Sequence, residues 1–361
     1  MDWAVAQAGE EGRGPWHHRR GSPAHHPAPP IEDFVTRLLI DLGDDTGVRV
    51  AAHRRDRSRP LDYHPVMRGR LAAPLVVLGL AASLLGACTV ATAAAATAVP
   101  AFRHIYLIVM ENHEYGSIVG SSRAPYLNSL IRRYGLATNY HAVTHPSEPN
   151  YLALFGGSTF SIRDDGIHTL SAPNVADQLE AHGRTWRVYA QDLPARCSRA
   201  SAAYGGVDLV GLPGWYARKH EPAISFADIA STARCARITR LSGFSPTAAS
   251  FELVVPNMTN DMHDGSIAQG DAFLRSFVPR ITSSAAFADS LLLITWDEGT
   301  TSLGGGGHVA TLVISPLVAA GRRSSVSHTH YSLLRTVEDA WGLGCLARTC
   351  TANDLREFFA P

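Results

Sequence analysis

Leu291-Leu292-Leu293-Ile294-Thr295-Trp296-Asp297-Glu298-Gly299 is a continuous apolar run that ends in two adjacent carboxylates. Such a run, too uniformly apolar for a half-exposed strand, reads as a strand buried on both faces, as in a parallel sheet. Ile105-Tyr106-Leu107-Ile108-Val109-Met110-Glu111-Asn112-His113 has the same form and also ends in oxygen-bearing side chains. Between the two, and after them, strand-like and helix-like segments alternate. That alternation predicts an α/β fold with a mostly parallel central sheet and helices on both faces. Ligands of open α/β sheets sit at the carboxyl ends of the strands. The expectation is therefore that Glu111, Asn112, Asp297 and Glu298 meet at one sheet edge as an oxygen-rich site for a hard divalent cation. For either pair alone a polar turn explains the residues better, since turns are rich in such side chains.

A third stretch is Thr144-His145-Pro146-Ser147-Glu148-Pro149-Asn150-Tyr151-Leu152-Ala153-Leu154-Phe155. A strand over 138–143 leads through a turn into an apolar helix that begins at Ser147. A serine there ordinarily caps the helix, and Pro149 suits a first turn. The same position offers free N–H groups and positive dipole to an anion, which makes Ser147 a candidate nucleophile toward a bound phosphate.

These segments, together with Pro256-Asn257-Met258-Thr259-Asn260-Asp261-Met262-His263-Asp264-Gly265, resemble the bacterial phosphoesterase family from about Phe102 to Leu343. That family holds phospholipases C and secreted acid phosphatases and is related to the alkaline phosphatase superfamily. The resemblance implies an alkaline-phosphatase-like fold and a phosphoric ester hydrolase of acid phosphatase type, acting on a phosphomonoester or a phosphoinositide. It implies Ser147 as nucleophile, with Thr144 the competing hydroxyl, and metal ligands Glu111, Asn112, Asp297 and Glu298. Oxygen ligands favour Mg, Ca, Mn or Fe over zinc. His220, His263 and His330 are the candidates to protonate the leaving group. Asn150, Lys219 and Asp264 are expected in substrate binding or in orienting the histidines, as is Asn260. A phospholipase C-like phosphodiesterase is the alternative activity, and a non-catalytic envelope lipoprotein the third.

The 361 residues carry no formal net charge, and nothing in them indicates a nucleic-acid partner. Apolar residues make up 45% of the chain, enough for a large core. Lys219 is the single lysine. Either a GC-rich coding bias explains that scarcity, or a compact ammonium is needed at this one place. A monomer is expected.

Residues 1–66, rich in Arg, His and Pro, read as disorder or as a misplaced start. Met67-Arg68-Gly69-Arg70 and the apolar run that follows form the basic and hydrophobic regions of an export signal. Leu85-Gly86-Ala87-Cys88 resembles a lipoprotein cleavage box, so residues 67–88 are read as a signal peptide and 89–101 as a linker. Ordinary cleavage within 93–101, or a cytoplasmic tail on a signal anchor, are the alternatives. The expected location is secreted or cell envelope, with membrane contact through the signal or a lipid. The domain proper is expected over 102–361. In an exported chain the four remaining cysteines pair: Cys345 with Cys350 as near neighbours, and Cys197 with Cys235 by elimination. Helices are expected over 125–134, 173–182, 270–281 and 330–341, strands over 185–190, 251–255 and 308–315, a loop over 197–222 and a flexible one at Gly304–Gly307.

Overall fold

The computed structural model describes residues 98–207 and 213–360. The amino-terminal tail, the signal, Cys88 and most of the linker lie outside the described residues. Among the described residues the strands are β1 His104–Met110, β2 Gly135–Ala137, β3 Tyr140–His141, β4 Trp186–Ala190, β5 Ala202–Val207, β6 Pro213–Ala217, β7 Ile238–Arg240, β8 Phe251–Val255, β9 Ser290–Trp296, β10 Thr311–Ile314, β11 Arg323–Ser324 and β12 His328–Thr329. The α-helices are α1 Tyr115–Ile118, α2 Pro125–Arg133, α3 Ser147–Gly156, α4 Val175–Ala181, α5 Ala227–Ala230, α6 Ile267–Phe277, α7 Pro279–Thr282 and α8 His330–Trp341.

Eight strands form one sheet in the order β11-β2-β10-β9-β1-β8-β4-β7. From β9 to β7 every neighbouring pair is parallel; β10 alone runs against both its partners. Every residue of β1, β8, β9 and β10 is buried. Both faces of the sheet are therefore covered, which is what continuous apolar runs demand. Helix α2 packs on α6, while α3 packs on α8 and α4. The expected α/β architecture with a mostly parallel sheet is present.

The register decides where the site forms. Met110 pairs with Trp296, so Glu111 and Asp297 follow as neighbours at the carboxyl ends of adjacent strands. On the other side of β1, Ile108 pairs with Val254, which brings the loop after β8 to the same edge.

Local readings differ in instructive places. The helix expected over 270–281 begins at Ile267, where Ser266 and Gln269 form a reciprocal cap, and stops before Pro279, which carries no N–H for a continuing turn. The expected loop over 197–222 contains an antiparallel hairpin, β5 with β6, and two 3-10 turns at Arg218–His220 and Pro222–Ser225. Its glycines and its weak alternation hid the pairing. The strand expected over 138–143 shrinks to β3, which pairs with β12. Both disulfides are formed as expected, Cys197–Cys235 and Cys345–Cys350.

The glycines at 304–307 are not a flexible spacer. A Cβ on Gly305 would lie 2.2 Å from the Val143 carbonyl oxygen, and one on Gly306 2.4 Å from that of Thr144. Gly306 N–H donates to Ala142 O and Ala142 N–H to Gly307 O, each at 3.0 Å. Glycine is required because two backbones touch here. One carries Asp297 and Glu298; the other leads into Ser147.

Candidate active site

Ser147 does not cap α3. Pro146 holds the cap position in extended backbone, no side chain caps the helix, and Ser147 is its first helical residue. Its hydroxyl instead donates to Glu111 Oε2 at 3.3 Å. Helix α3 is buried along its whole length, so its first turn and positive dipole end lie inside the protein beside the sheet edge.

Glu111 is the centre of the arrangement. It is fully buried and also accepts the Tyr151 hydroxyl at 2.6 Å on Oε1. His220 Nε2 lies 3.1 Å from that oxygen, and His220 Nδ1 lies 3.3 Å from Asp261 Oδ2. Ligand atoms of Glu111, His220 and Asp261 all fall within 4.8 Å of one another. Tyr151 stacks on the His220 ring with centroids 5.1 Å apart. Asp297 joins from β9, its Oδ1 accepting the Asn112 backbone N–H at 3.2 Å.

Burial of like charges dominates the electrostatics. Desolvation, then Asp297 and Asp261, pushes the Glu111 carboxyl well above its usual range. Asp261 is raised strongly by the same burial. Burial and then Glu298 push Asp297 up to about 8, and burial and then Asp165 push Glu298 up to about 7. His220 is held well below its usual value by burial and by Lys219. Both His220 ring nitrogens, Asp261 Oδ2 and Asp297 Oδ2 have no partner in hydrogen-bond geometry among the described residues. The Glu111, His220 and Asp261 triad, with both imidazole nitrogens, Asp261 Oδ2 and the nearby Asp297 Oδ2 unsatisfied, fits a divalent cation. A bound cation removes the cost of gathering like charges out of water.

The residues expected at the site separate into groups. Glu111, Asp297 and Ser147 come together, with Glu298 beside them. Asn112 contributes its backbone N–H to Asp297, in a left-handed conformation at φ 56°. His220 sits among the acids as a candidate ligand rather than as a proton donor, which adds nitrogen to a donor set expected to be all oxygen. His330, expected to protonate the leaving group, is fully buried. Its Nε2–H donates to Asp297 O at 2.5 Å, the Tyr140 hydroxyl meets its Nδ1 at 2.9 Å, and burial lowers its pKa to about 4. It is neutral and braces the Asp297 backbone. Asn150, expected on the phosphate, is instead committed to the turn. Its Oδ1 accepts Val143 and Thr144 N–H, and its Nδ2 donates to Thr144 O, Pro146 O and Glu298 Oε2. Thr144 turns its hydroxyl to His145 O at 3.1 Å.

Lys219 pairs with Asp165 Oδ2 at 3.1 Å, and Asp165 Oδ1 accepts Glu148 N–H in the first turn of α3 at 3.0 Å. His263 keeps solvent contact and holds Asp264 Oδ1 on its Nδ1 at 2.7 Å, 5.9 Å from the His220 ring centre. Asn260 ties the loop to the end of β4 through Gln191 Oε1 at 3.1 Å. Asp261 and Tyr151 were not among the expected residues. Asp261 stands in the loop that follows β8, and it reaches the site because β8 pairs with β1. Its carbonyl accepts the Glu111 N–H at 2.8 Å.

Comparison with known proteins shows the family. The model of the phosphoesterase family matches residues 119–344. The chain is 36% identical over 297 residues to a phosphatidylinositol-3-phosphatase of Mycobacterium tuberculosis, covering 79% of this chain and 91% of that protein. It is 31% identical to an acid phosphatase of Aspergillus fumigatus over 71% of this chain and 58% of that enzyme. Among solved structures, the lipoteichoic acid synthase LtaP from Listeria monocytogenes has a similar fold, with TM-score 0.51 and 9% identity, covering 73% of this chain and 77% of that one. A protein of the alkaline phosphatase superfamily from Vibrio parahaemolyticus aligns with TM-score 0.46 and 13% identity, over 72% of this chain and 71% of that one. The chain belongs to the phosphoesterase family and is a phosphoric ester hydrolase.

Proposed function

We propose that the protein is a metal-dependent acid phosphatase that cleaves phosphate monoesters through Ser147. The observation that carries this reading is the Ser147 hydroxyl, released from capping and hydrogen-bonded to Glu111 within the buried acid cluster. Glu111, Asp297, Glu298 and Asn112, with Asp261 and His220 adjoining, are the residues that would hold a divalent cation. When bound, such a cation neutralises phosphate oxygens and favours the serine alkoxide. Ser147 Oγ gives its proton to its acceptor Glu111 Oε2 and bonds to phosphorus as the ester P–O bond breaks, and the departing alcohol oxygen takes a proton. We assign that proton to His263, which keeps solvent contact 5.9 Å from the His220 ring centre, because His330 and His220 are buried and neutral. Water then hydrolyses the phosphoserine and returns the hydroxyl. Lys219 adds positive charge near the first turn of α3.

The kinship to the mycobacterial phosphatidylinositol-3-phosphatase supports a phosphoinositide headgroup as substrate. The signal-like segment at 67–88 supports export, with Cys88 as the lipid attachment point. The test uses the purified full chain with p-nitrophenyl phosphate and with its phosphorylcholine diester, with and without chelator. Ser147→Ala is expected to lose nearly all monoester turnover, because cooperating groups fail as a unit, and chelator to abolish the rest. Near-normal turnover by Ser147→Ala with loss in Thr144→Ala would move the nucleophile. Preference for the diester would overturn the monoesterase reading.

A further inference from the structure

Glu114 makes contacts that the chemistry above does not use. It stands at the cap position of α1 yet caps nothing. Its Oε1 instead accepts three hydrogen bonds from the loop after Glu298: Thr300 N–H at 3.0 Å, Thr301 N–H at 2.9 Å and the Thr301 hydroxyl at 2.8 Å. The carboxylate fits only because two neighbours lack side chains. A Cβ on Gly299 would lie 2.4 Å from Glu114 Oε1, and one on Gly307 2.7 Å.

The loop so anchored reaches the site through one ring. His145 Nε2–H donates to Thr301 O at 2.8 Å, and His145 Nδ1 lies 3.0 Å from Glu298 Oε2. Asn150 Nδ2 meets the same oxygen at 3.4 Å. His145 itself is two residues before Ser147. The contacts therefore run Glu114, Thr301, His145, Glu298, and they join the loop that carries the acids to the turn that carries the nucleophile.

We infer that Glu114 and His145 are positioning residues that hold the Glu298 carboxylate in register with Ser147. The inference rests on the reading of Glu298 as a cation-holding residue. The loop is exposed over residues 300–305; its base closes through Gly299 N–H on Gly306 O at 2.7 Å, and its glycines rest on the backbone of 142–144. Glu114 adds three side-chain bonds at Thr300 and Thr301, next to the acids. Loss of a tether leaves Glu298 free to swing, which harms the transition state and cation binding more than it harms substrate binding.

The experiment compares wild type, Glu114→Ala, Glu114→Gln, His145→Ala and the double alanine variant, all as full chains. Turnover and KM are read on p-nitrophenyl phosphate, and Mn²⁺ binding is read by calorimetry without substrate. Glu114→Ala is expected to lose roughly 10- to 100-fold in kcat with little change in KM, the scale of a misplaced group. Its Mn²⁺ affinity falls as well. Glu114→Gln recovers most of both, because an amide oxygen accepts the same three bonds. His145→Ala reproduces the loss, and the double variant is no worse than either single one, as members of one chain of contacts must be. Wild-type kcat and Mn²⁺ affinity in Glu114→Ala would overturn the inference, as would losses that multiply in the double variant. If Glu114→Ala fails to fold, Glu114→Gln and His145→Ala decide it: wild-type Mn²⁺ affinity in His145→Ala overturns it. A wild-type chain that binds no Mn²⁺ and ignores chelator overturns the metal reading instead.

Discussion

Ser147 shows what a single residue's position does here. One place later in the helix than a cap, its oxygen is free of the backbone and meets Glu111. The acids around it carry a consequence for pH. Burial, with Glu298 beside Asp297 and Asp165 beside Glu298, pushes Asp297 up to about 8 and Glu298 up to about 7. A cation must displace the protons they hold, so binding is coupled to their loss. Mn²⁺ affinity, measured by calorimetry on the chain without substrate, is expected to rise from pH 5.5 to about 8 and then to level off. Affinity that is flat across that window would show that these carboxylates are already ionised.

Among the elements, β9 and its following loop do most to build the site. β9 delivers Asp297 beside Glu111 through its parallel register with β1. The loop then folds back on the backbone of 142–144 with no room for side chains. Gly306→Ala forces a Cβ to within 2.4 Å of a backbone oxygen, so one of the two segments must move. The expected result is a destabilisation of about 1–3 kcal/mol, the range for overpacking, and a loss of turnover larger than the loss of stability implies. Chemical denaturation and kinetics on the same preparation check this. An unchanged kcat would mean that Ser147 and Glu298 do not depend on that contact. Elements were also where sequence reading was weakest. Pro279 ended α6 early, and the hairpin β5–β6 lay in a stretch with no clean alternation.

Across the whole molecule, stability depends on a central sheet covered on both faces, with a buried carboxylate in one of its strands. Glu252 is the second residue of β8, paired with Tyr106 of β1 and Arg187 of β4. Its Oε1 accepts Ala249 N–H at 3.0 Å, but burial still raises its pKa from 4.5 to about 8. The folded state thus keeps a proton that the unfolded chain gives up near 4.5. This group's contribution to stability is full below that pH and is lost as the pH rises to about 8. Glu252→Gln, which cannot ionise, is expected to raise Tm relative to wild type at pH 8 and to leave the difference small or reversed at pH 4.5. A Tm difference independent of pH would show that Glu252 does not titrate on unfolding.

The apolar runs at 105–110 and 291–296 determined by themselves that buried strands carry acids at their ends, because such runs are stable only inside a covered sheet. The helix start at Ser147 and the Cys345–Cys350 crosslink were legible because local chemistry sets them, and Cys197 with Cys235 followed by elimination. Partnership across the fold was not legible. His330 reads as a free histidine in the chain, yet packing buries it against Tyr140 and the Asp297 carbonyl and makes it a brace. Asn150 reads as a ligand and holds a turn. Asp261 and Tyr151 gain their places only when β8 lies beside β1 and α3 lies against the sheet edge. Which side chains share a desolvated space, and therefore which hold protons and which can hold a metal, depends on contacts between segments far apart in sequence. Tertiary structure alone decides that.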